Sequence, residues 1–275
     1  FFFNSHLDFF EEIAKYRAAR RIWAHVMREK YDAKSDRSLK LRFHTQTAGF
    51  SLTAQQPQNN ISRTAFQALA AVLGGTQSLH TNSMDETLCL PSQEAAEIAL
   101  RTQQLIGFET GVTNVVDPLG GSWYVEELTN KMEKEAYKYF SKIDELGGVI
   151  PAIEMGYFQR EIAEAASDYQ RRVDSKRRVV VGVNEFTKND EEIDIPILEI
   201  RKEVQNEQIE GLKLLRRKRN NKVVISKLRA ITDASRTKEN LIPLIIDAAQ
   251  AHATLGELVD SMKVVFGEWQ ETAVV

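Results

Sequence analysis

Twice within the first 110 residues, a short run alternating with period two gives way to a polar loop and then to an amphipathic helix. Leu39-Lys40-Leu41-Arg42-Phe43-His44-Thr45 alternates as a half-buried strand does, and Gly49 and the stretch Gln55 to Asn60 make a loop. Ala65, Phe66, Leu69, Ala70 and Val72 then follow a helical period, stopped by Gly74-Gly75. Thr76 to Thr81 repeats the strand signal, a loop with Asp85 and Glu86 follows, and Pro91-Ser92 opens a helix through Ala95, Ile98, Ala99 and Leu105. Asn114-Val115-Val116-Asp117 predicts a third short strand, ended by Pro118 and Gly120-Gly121. Such alternation calls for a parallel sheet with crossover helices. Ahead of it, Ser5 as N-cap with Asp8 three residues on, then Phe9, Ile13, Tyr16, Trp23 and Met27, predicts one helix from Ser5 to about Tyr31.

Beyond about residue 123 the texture changes. Helices are expected from Val125 to Leu146 and from Pro151 to Arg172, around Gly147-Gly148, and Val179 to Val183 reads as an isolated strand. From Ile197 the chain is charged and helical, and its basic cluster Arg216-Arg217-Lys218-Arg219 reads as a solvated helix face. The expected organisation is α/β over residues 1–125 and a mostly helical region over 126–275. An eight-stranded (β/α) barrel takes about 250 residues and eight strand–helix units. The two or three units here therefore amount to the carboxy-terminal portion of a TIM (β/α)8 barrel at most.

Composition removes several function classes. Lys and Arg number 36 against 39 Asp and Glu, a formal charge of −3, so no electrostatic footprint for nucleic acid or an anionic membrane exists. Cys89 is the single cysteine, which excludes an internal disulfide framework and any Cys-rich zinc site. No apolar run has the length of a membrane span, and a cytoplasmic location is expected. The opening Phe1-Phe2-Phe3 lacks an initiator methionine, a basic n-region and an apolar h-region, so it is no signal peptide; the chain is expected to start inside a longer polypeptide.

Neither a Walker-type glycine–lysine pattern nor Gly-x-Gly-x-x-Gly occurs, and the five histidines show no paired metal-ligand spacing, so no metal site is expected. His6, His25 and His252 fall in helical patterns and read as surface or packing residues, and Cys89 reads as a packing thiol. Two segments differ: His44 to Gly49, and Gln77 to Glu86. Both sit where strands end and polar loops begin, which is where parallel α/β proteins bind ligands. Alternation puts His44 and Gln46 on one side of their strand, an imidazole and an amide able to hydrogen-bond a polar ligand, while Gly49 lets backbone approach it. Read from periodicity alone, the same groups could instead satisfy only loop backbone.

Five segments in order carry a resemblance: Phe43 to Gly49; Asn59-Asn60 with Arg63-Thr64-Ala65; Gly74 to Asn82; Asp117-Pro118-Leu119-Gly120-Gly121-Ser122-Trp123-Tyr124; and Val181-Gly182-Val183-Asn184. They resemble the adenosylcobalamin-dependent acyl-CoA mutases, nearest the large catalytic subunits of the methylmalonyl-CoA mutase branch, over Phe9 to Trp269. The resemblance implies an isomerase that interconverts (R)-methylmalonyl-CoA and succinyl-CoA by radical rearrangement, with the acyl-CoA substrate threaded through a TIM barrel. It further implies that His44 and Gln46 approach the upper corrin face and its amide arms and that Gly49 packs against the corrin. Glu86 would hydrogen-bond the adenosyl ribose, Cys89 would stand beside the cofactor as packing, and Gln77, Ser78 and Asn82 are second-line candidates for the same surface.

Two family elements are absent from the sequence. The catalytic histidine, the carboxylate-pairing arginine and the tyrosine near the radical belong to upstream barrel strands, so no catalytic residue is expected in this chain. No histidine stands in an Asp-x-His-x-x-Gly motif, whose histidine ligates cobalt from below; that ligand is expected from a small cobalamin-binding subunit. The resemblance thus implies an oligomer in which the upstream barrel and the small subunit complete a chain inactive alone. Relatives acting on isobutyryl-CoA or 2-hydroxyisobutyryl-CoA share these loop sequences, and a non-catalytic scaffold that docks a mutase is the reading from another class.

Overall fold

A computed structural model describes residues 1–189 and 195–271. They fall into two compact units, the first from Phe1 to Leu198 and the second beginning at Glu199. The first unit is α/β, mostly helical around a small parallel sheet. Strand β1 (Phe2–Ser5) leads to helix α1 (Phe9–Glu29), β2 (His44–Thr47) to α2 (Asn59–Leu73), and β3 (Ser78–His80) to α3 (Gln93–Phe108). The sheet order is β1-β2-β3, every pair parallel, with Phe2 opposite His44 and His44 opposite Ser78. Helices α4 (Trp123–Glu145), α5 (Val149–Glu154) and α6 (Tyr157–Asp174) complete the unit, and α4 packs on α1.

Several boundaries move from their predicted places. Phe2 to Ser5 form a strand, and the α1 cap is Asp8, whose side chain accepts from Glu11 N; Ser5 is buried in the sheet instead, its hydroxyl donating to Gln67 O at 2.8 Å. The alternation of Leu41 and Phe43 is real, since both are buried, but their strand pairing starts only at His44. Residues 114–117 form no strand: a 3-10 turn occupies Val112–Asn114, and Asp117 has a φ of +47°. Val179 to Val183 is a turn closed by a single bridge between Val181 and Glu185. The helix expected from Pro151 to Arg172 is two helices, broken at Gly156 with φ +68°.

The sheet's covered face is built by Tyr16, Leu41, Phe43 and Ala71, with Phe3, Ala19, Trp23 and Leu79 against them. A second cluster of Ile13, Ala70 and Val125 joins α1, α2 and α4. Arg17 of α1 reaches across to pair with Asp117 and, at 2.5 Å, with Glu126, whose carboxylate also accepts from Gly121 N. The Asp117-to-Tyr124 motif is thus the joint that seats α4 on α1.

The second unit holds α7 (Lys202–Lys218), α8 (Asn221–Ala234), α9 (Leu241–Gln250) and α10 (Leu255–Phe266), with Ile231, Ala248 and Leu258 at its core. Arg219, the last residue of the basic cluster, is no solvated charge: its side chain is 6% exposed and grips Glu257 through two bonds of 2.7 and 2.5 Å. Glu257 also closes the capping box of Thr254. The Arg219 bonds, aided by those from Thr254, hold the Glu257 carboxyl down at about 2. A carboxylate so depressed contributes stability above its unfolded value of 4.5, lost as pH falls toward 2. Glu257→Gln is expected to cost about 1–2 kcal/mol at neutral pH, less than breaking a fully buried pair because Glu257 is partly exposed. Hydrogen exchange of the α8 and α10 amides should lose its acid dependence between about pH 4.5 and 2 in the variant; an unchanged profile would assign the acid sensitivity to another group.

Candidate functional site at the strand carboxyl ends

Side-chain alternation gives the three-stranded sheet two unlike faces. Ser5, Thr45 and Thr47 point into the helix layer and are fully buried. On the opposite face, register stacks Phe2, His44 and Ser78 in one rung and Asn4, Gln46 and His80 in the next. The His44 ring lies parallel to Phe2 at 5.8 Å, with Nδ1 2.7 Å from Ser78 Oγ. Apart from Phe2, this open face is polar and at least partly exposed, the reverse of a sheet face that packs a core.

At the carboxyl ends three turns converge. Ala48 N donates to Ser5 O at 2.8 Å, so the segment after β2 lies against the end of β1. Asn82, just past β3, is tied to β2: its backbone N–H donates to Thr47 Oγ1 at 2.9 Å, and the Thr47 hydroxyl donates to Asn82 Oδ1. The Asn82 amide group then donates to Glu86 Oε2. Glu86 is exposed, and its carboxylate lies over Gly49 where a side chain would otherwise be. An added Cβ at Gly49 would overlap Glu86 Oε1 and come within 2.9 Å of Asn82 Nδ2.

The loops that carry this rim are wired from α2. Asn60, wholly buried, donates to Thr53 O and to Met84 O, both at 2.9 Å, joining the loop after β2 to the loop after β3. Arg63 binds Asn60 Oδ1 and Thr53 Oγ1 at 2.8 Å and Val181 O at 2.7 Å. Asn184 in turn accepts from Val180 N at 2.7 Å and donates to Val173 O and Arg178 O at 2.8 Å. Three of the sequence motifs are therefore a scaffold for the rim. Asp85, fully buried, accepts from Ser92 N at 2.8 Å through its side chain, while its carbonyl accepts from Leu88 N and Cys89 N.

The predicted residues separate into two groups. Gly49, Asn82 and Glu86 meet at the carboxyl-end rim, with Gln46 on the open face just below and Cys89 half-buried in the loop beyond. Gln77 and Ser78 fall at the amino end of β3 instead, and Gln77 is spent on backbone, accepting from Phe43 N and donating to Gly75 O at 2.8 Å. His44, opposite Ser78, opens β2, about 10 Å from Thr47 at the rise of a strand.

His6 was expected inside a helix, yet it follows β1 directly, on the rim, its ring 5.7 Å from that of Phe50. Its Nε2 is buried without a hydrogen-bond partner. Burial, then Arg178 and Lys15, hold its pKa below the usual value against Glu12 and Asp8, so the imidazole is neutral at pH 7. Recognising β1 in Phe2 to Ser5 would have found it. The rim offers a carboxylate, amides and a neutral imidazole: groups that bind and orient hydroxyls and amides. Among the described residues, no cluster of three or more His, Cys, Asp or Glu could hold a metal ion, and no helix is long and apolar enough to cross a membrane.

The sequence profile described as methylmalonyl-CoA mutase matches residues 1–268. The chain is 43% identical, over its whole length, to the 2-hydroxyisobutanoyl-CoA mutase large subunit of Aquincola tertiaricarbonis, covering 49% of that protein. It is 45% identical to the methylmalonyl-CoA mutase of Rhizobium meliloti over 98% of the chain and 38% of the relative. It is 44% identical to the mitochondrial methylmalonyl-CoA mutase of Homo sapiens over 98% of the chain and 36% of the relative. The chain thus spans between about a third and a half of the length of these relatives. The profile match runs from β1 through α10 and takes in the rim together with the scaffold that holds it, so the chain belongs to the methylmalonyl-CoA mutase family.

Proposed function

We propose that this chain is part of the catalytic subunit of an adenosylcobalamin-dependent isomerase that interconverts (R)-methylmalonyl-CoA and succinyl-CoA. The observation that carries the reading is the rim itself: a polar open face leading to strand ends where Glu86 lies over Gly49 and is held by Asn82. Bound adenosylcobalamin would supply the radical that begins the rearrangement. Glu86 would accept hydrogen bonds from the adenosyl ribose, Gln46 would meet the corrin and its amide arms with His44 one rung farther down the same face, and Gly49 would pack against the corrin through its backbone while leaving room for the Glu86 carboxylate. Cys89 packs beside them. These residues orient the cofactor and exclude water; the acid–base and carboxylate-binding groups belong to the remainder of the barrel.

Residues 1–125 would be the last strand–helix units of a TIM barrel, with 126–275 as linker and subunit-contact region. Barrel interiors are ordinarily packed with branched apolar residues. The polar rungs of Asn4, Gln46 and His80 instead suit a lumen through which an acyl-CoA passes. The cobalt's lower ligand would come from a small cobalamin-binding subunit, a partner suggested by the relative named as a large subunit. A second reading, a mutase for 2-hydroxyisobutyryl-CoA or isobutyryl-CoA, draws on the relative named as a large subunit, which aligns with every residue of this chain.

The test is an absorption titration of the full-length protein, assembled with its cobalamin-binding partner, followed by assays on the three acyl-CoA esters. Glu86→Ala is expected to weaken adenosylcobalamin binding by about 1.5–3 kcal/mol, the range for a hydrogen bond to a charged group. Full affinity in that variant would remove Glu86 from the site.

A further inference from the structure

We infer that Thr47, buried behind the rim, is a positioning residue that orients the Asn82 amide and through it the Glu86 carboxylate. The inference rests on Glu86 being the ribose-binding group proposed above. Thr47 is the last residue of β2 and is wholly buried, so it touches no ligand. Its hydroxyl has one proton and two lone pairs. The Asn82 backbone N–H donates to its oxygen at 2.9 Å, and the hydroxyl proton goes to Asn82 Oδ1. With Oδ1 so engaged, the Asn82 amide can turn only its NH2 end toward Glu86, where Nδ2 donates to Oε2.

The opposite orientation would set Oδ1 against a carboxylate oxygen, acceptor against acceptor. Thr47 therefore decides the sign of the contact that Glu86 meets. Asn82 is itself 2% exposed, so a misdirected amide has no water to turn to. The consequence is a carboxylate held at one place with one oxygen, Oε2, engaged by the protein. The other oxygen, Oε1, lies over Gly49 and remains for a hydroxyl donor.

Thr47→Val keeps the shape and β-branching of the strand residue and removes both hydrogen bonds. In the assembled full-length protein it is expected to weaken adenosylcobalamin affinity by about tenfold, the size of one hydrogen bond. Thr47→Ser, which keeps the hydroxyl, should bind within about twofold of the parent on the same scale. The deciding measurement is the double-mutant cycle with Glu86→Ala, read by absorption titration. If Thr47 acts through Glu86, Thr47→Val has no further effect once Glu86 is gone. Additive losses, or a folded Thr47→Val protein with parental affinity, would overturn the inference. Loss of any Glu86→Ala effect would instead sink the ribose reading, so the two failures are distinguishable. Should Thr47→Val not fold, Asn82→Asp carries the same cycle: it keeps Oδ1 for Thr47 and sets an acceptor beside Glu86. Its loss of affinity must likewise vanish in the Glu86→Ala background.

Discussion

Gly49→Ala should weaken adenosylcobalamin binding by about ten- to a hundredfold, a loss comparable to that of Glu86→Ala, while moving the melting temperature by no more than about 2 °C. The new methyl group enters the space that the Glu86 carboxylate occupies and meets Asn82 Nδ2 at 2.9 Å. Glu86 is exposed, and its end can swing away into solvent, so the fold gives up little. The Gly49 backbone carries no left-handed strain, since it begins a 3-10 turn that any residue can adopt. The penalty falls on function because the displaced carboxylate loses both its hydrogen bond from Asn82 and its place over Gly49. Absorption titration and a thermal melt on the same preparation check both halves. A variant that binds normally would mean that neither Glu86 nor the face of Gly49 meets the cofactor.

The β-α rhythm of the first 110 residues was legible because each strand ends in a polar turn and each helix has a stop. What sequence could not supply was pairing. Residues 39–43 alternate and bury Leu41 and Phe43 but find no strand partner, while Phe2 to Ser5, which look like a frayed start, pair with His44 to Thr47 because β2 leaves an edge for them. Taking Ser5 as a cap hid both β1 and His6. The site was legible as segments rather than as contacts. Glu86, Asn82 and Gly49 stood in quoted motifs, yet Asn82 sits between Thr47 and Glu86 only because β2 and β3 are adjacent. Gln77 went the other way: strand polarity puts it at the amino end, where it completes backbone hydrogen bonds. The reach of Arg63 to the Val181 carbonyl had no readable sign, since the two lie 118 residues apart along the chain.

Gly74→Ala, by contrast, is expected to cost about 2–3 kcal/mol of stability, roughly 5–10 °C in a unit of this size, with little direct effect on cofactor affinity in molecules that fold. Gly74 caps α2 with φ −76°, so alanine is allowed there by backbone geometry, and its smaller unfolded-state entropy alone would stabilise by about 0.4–1 kcal/mol. Packing decides the sign. The added Cβ overlaps the Tyr16 ring and stands 3.0 Å from Ala70 O. Tyr16 cannot give way: it is fully buried, stacked on Phe43 at 5.2 Å, edge-on to Phe3, and fixed by its hydroxyl donating to Asn4 O at 2.8 Å. The two alanines thus test opposite kinds of close approach, one against the free end of a flexible side chain and one against a locked ring. Tyr16→Leu removes the ring, and in that background Gly74→Ala should cost less than half as much. A cycle that came out additive would show that the cost at Gly74 comes from the helix end and not from Tyr16.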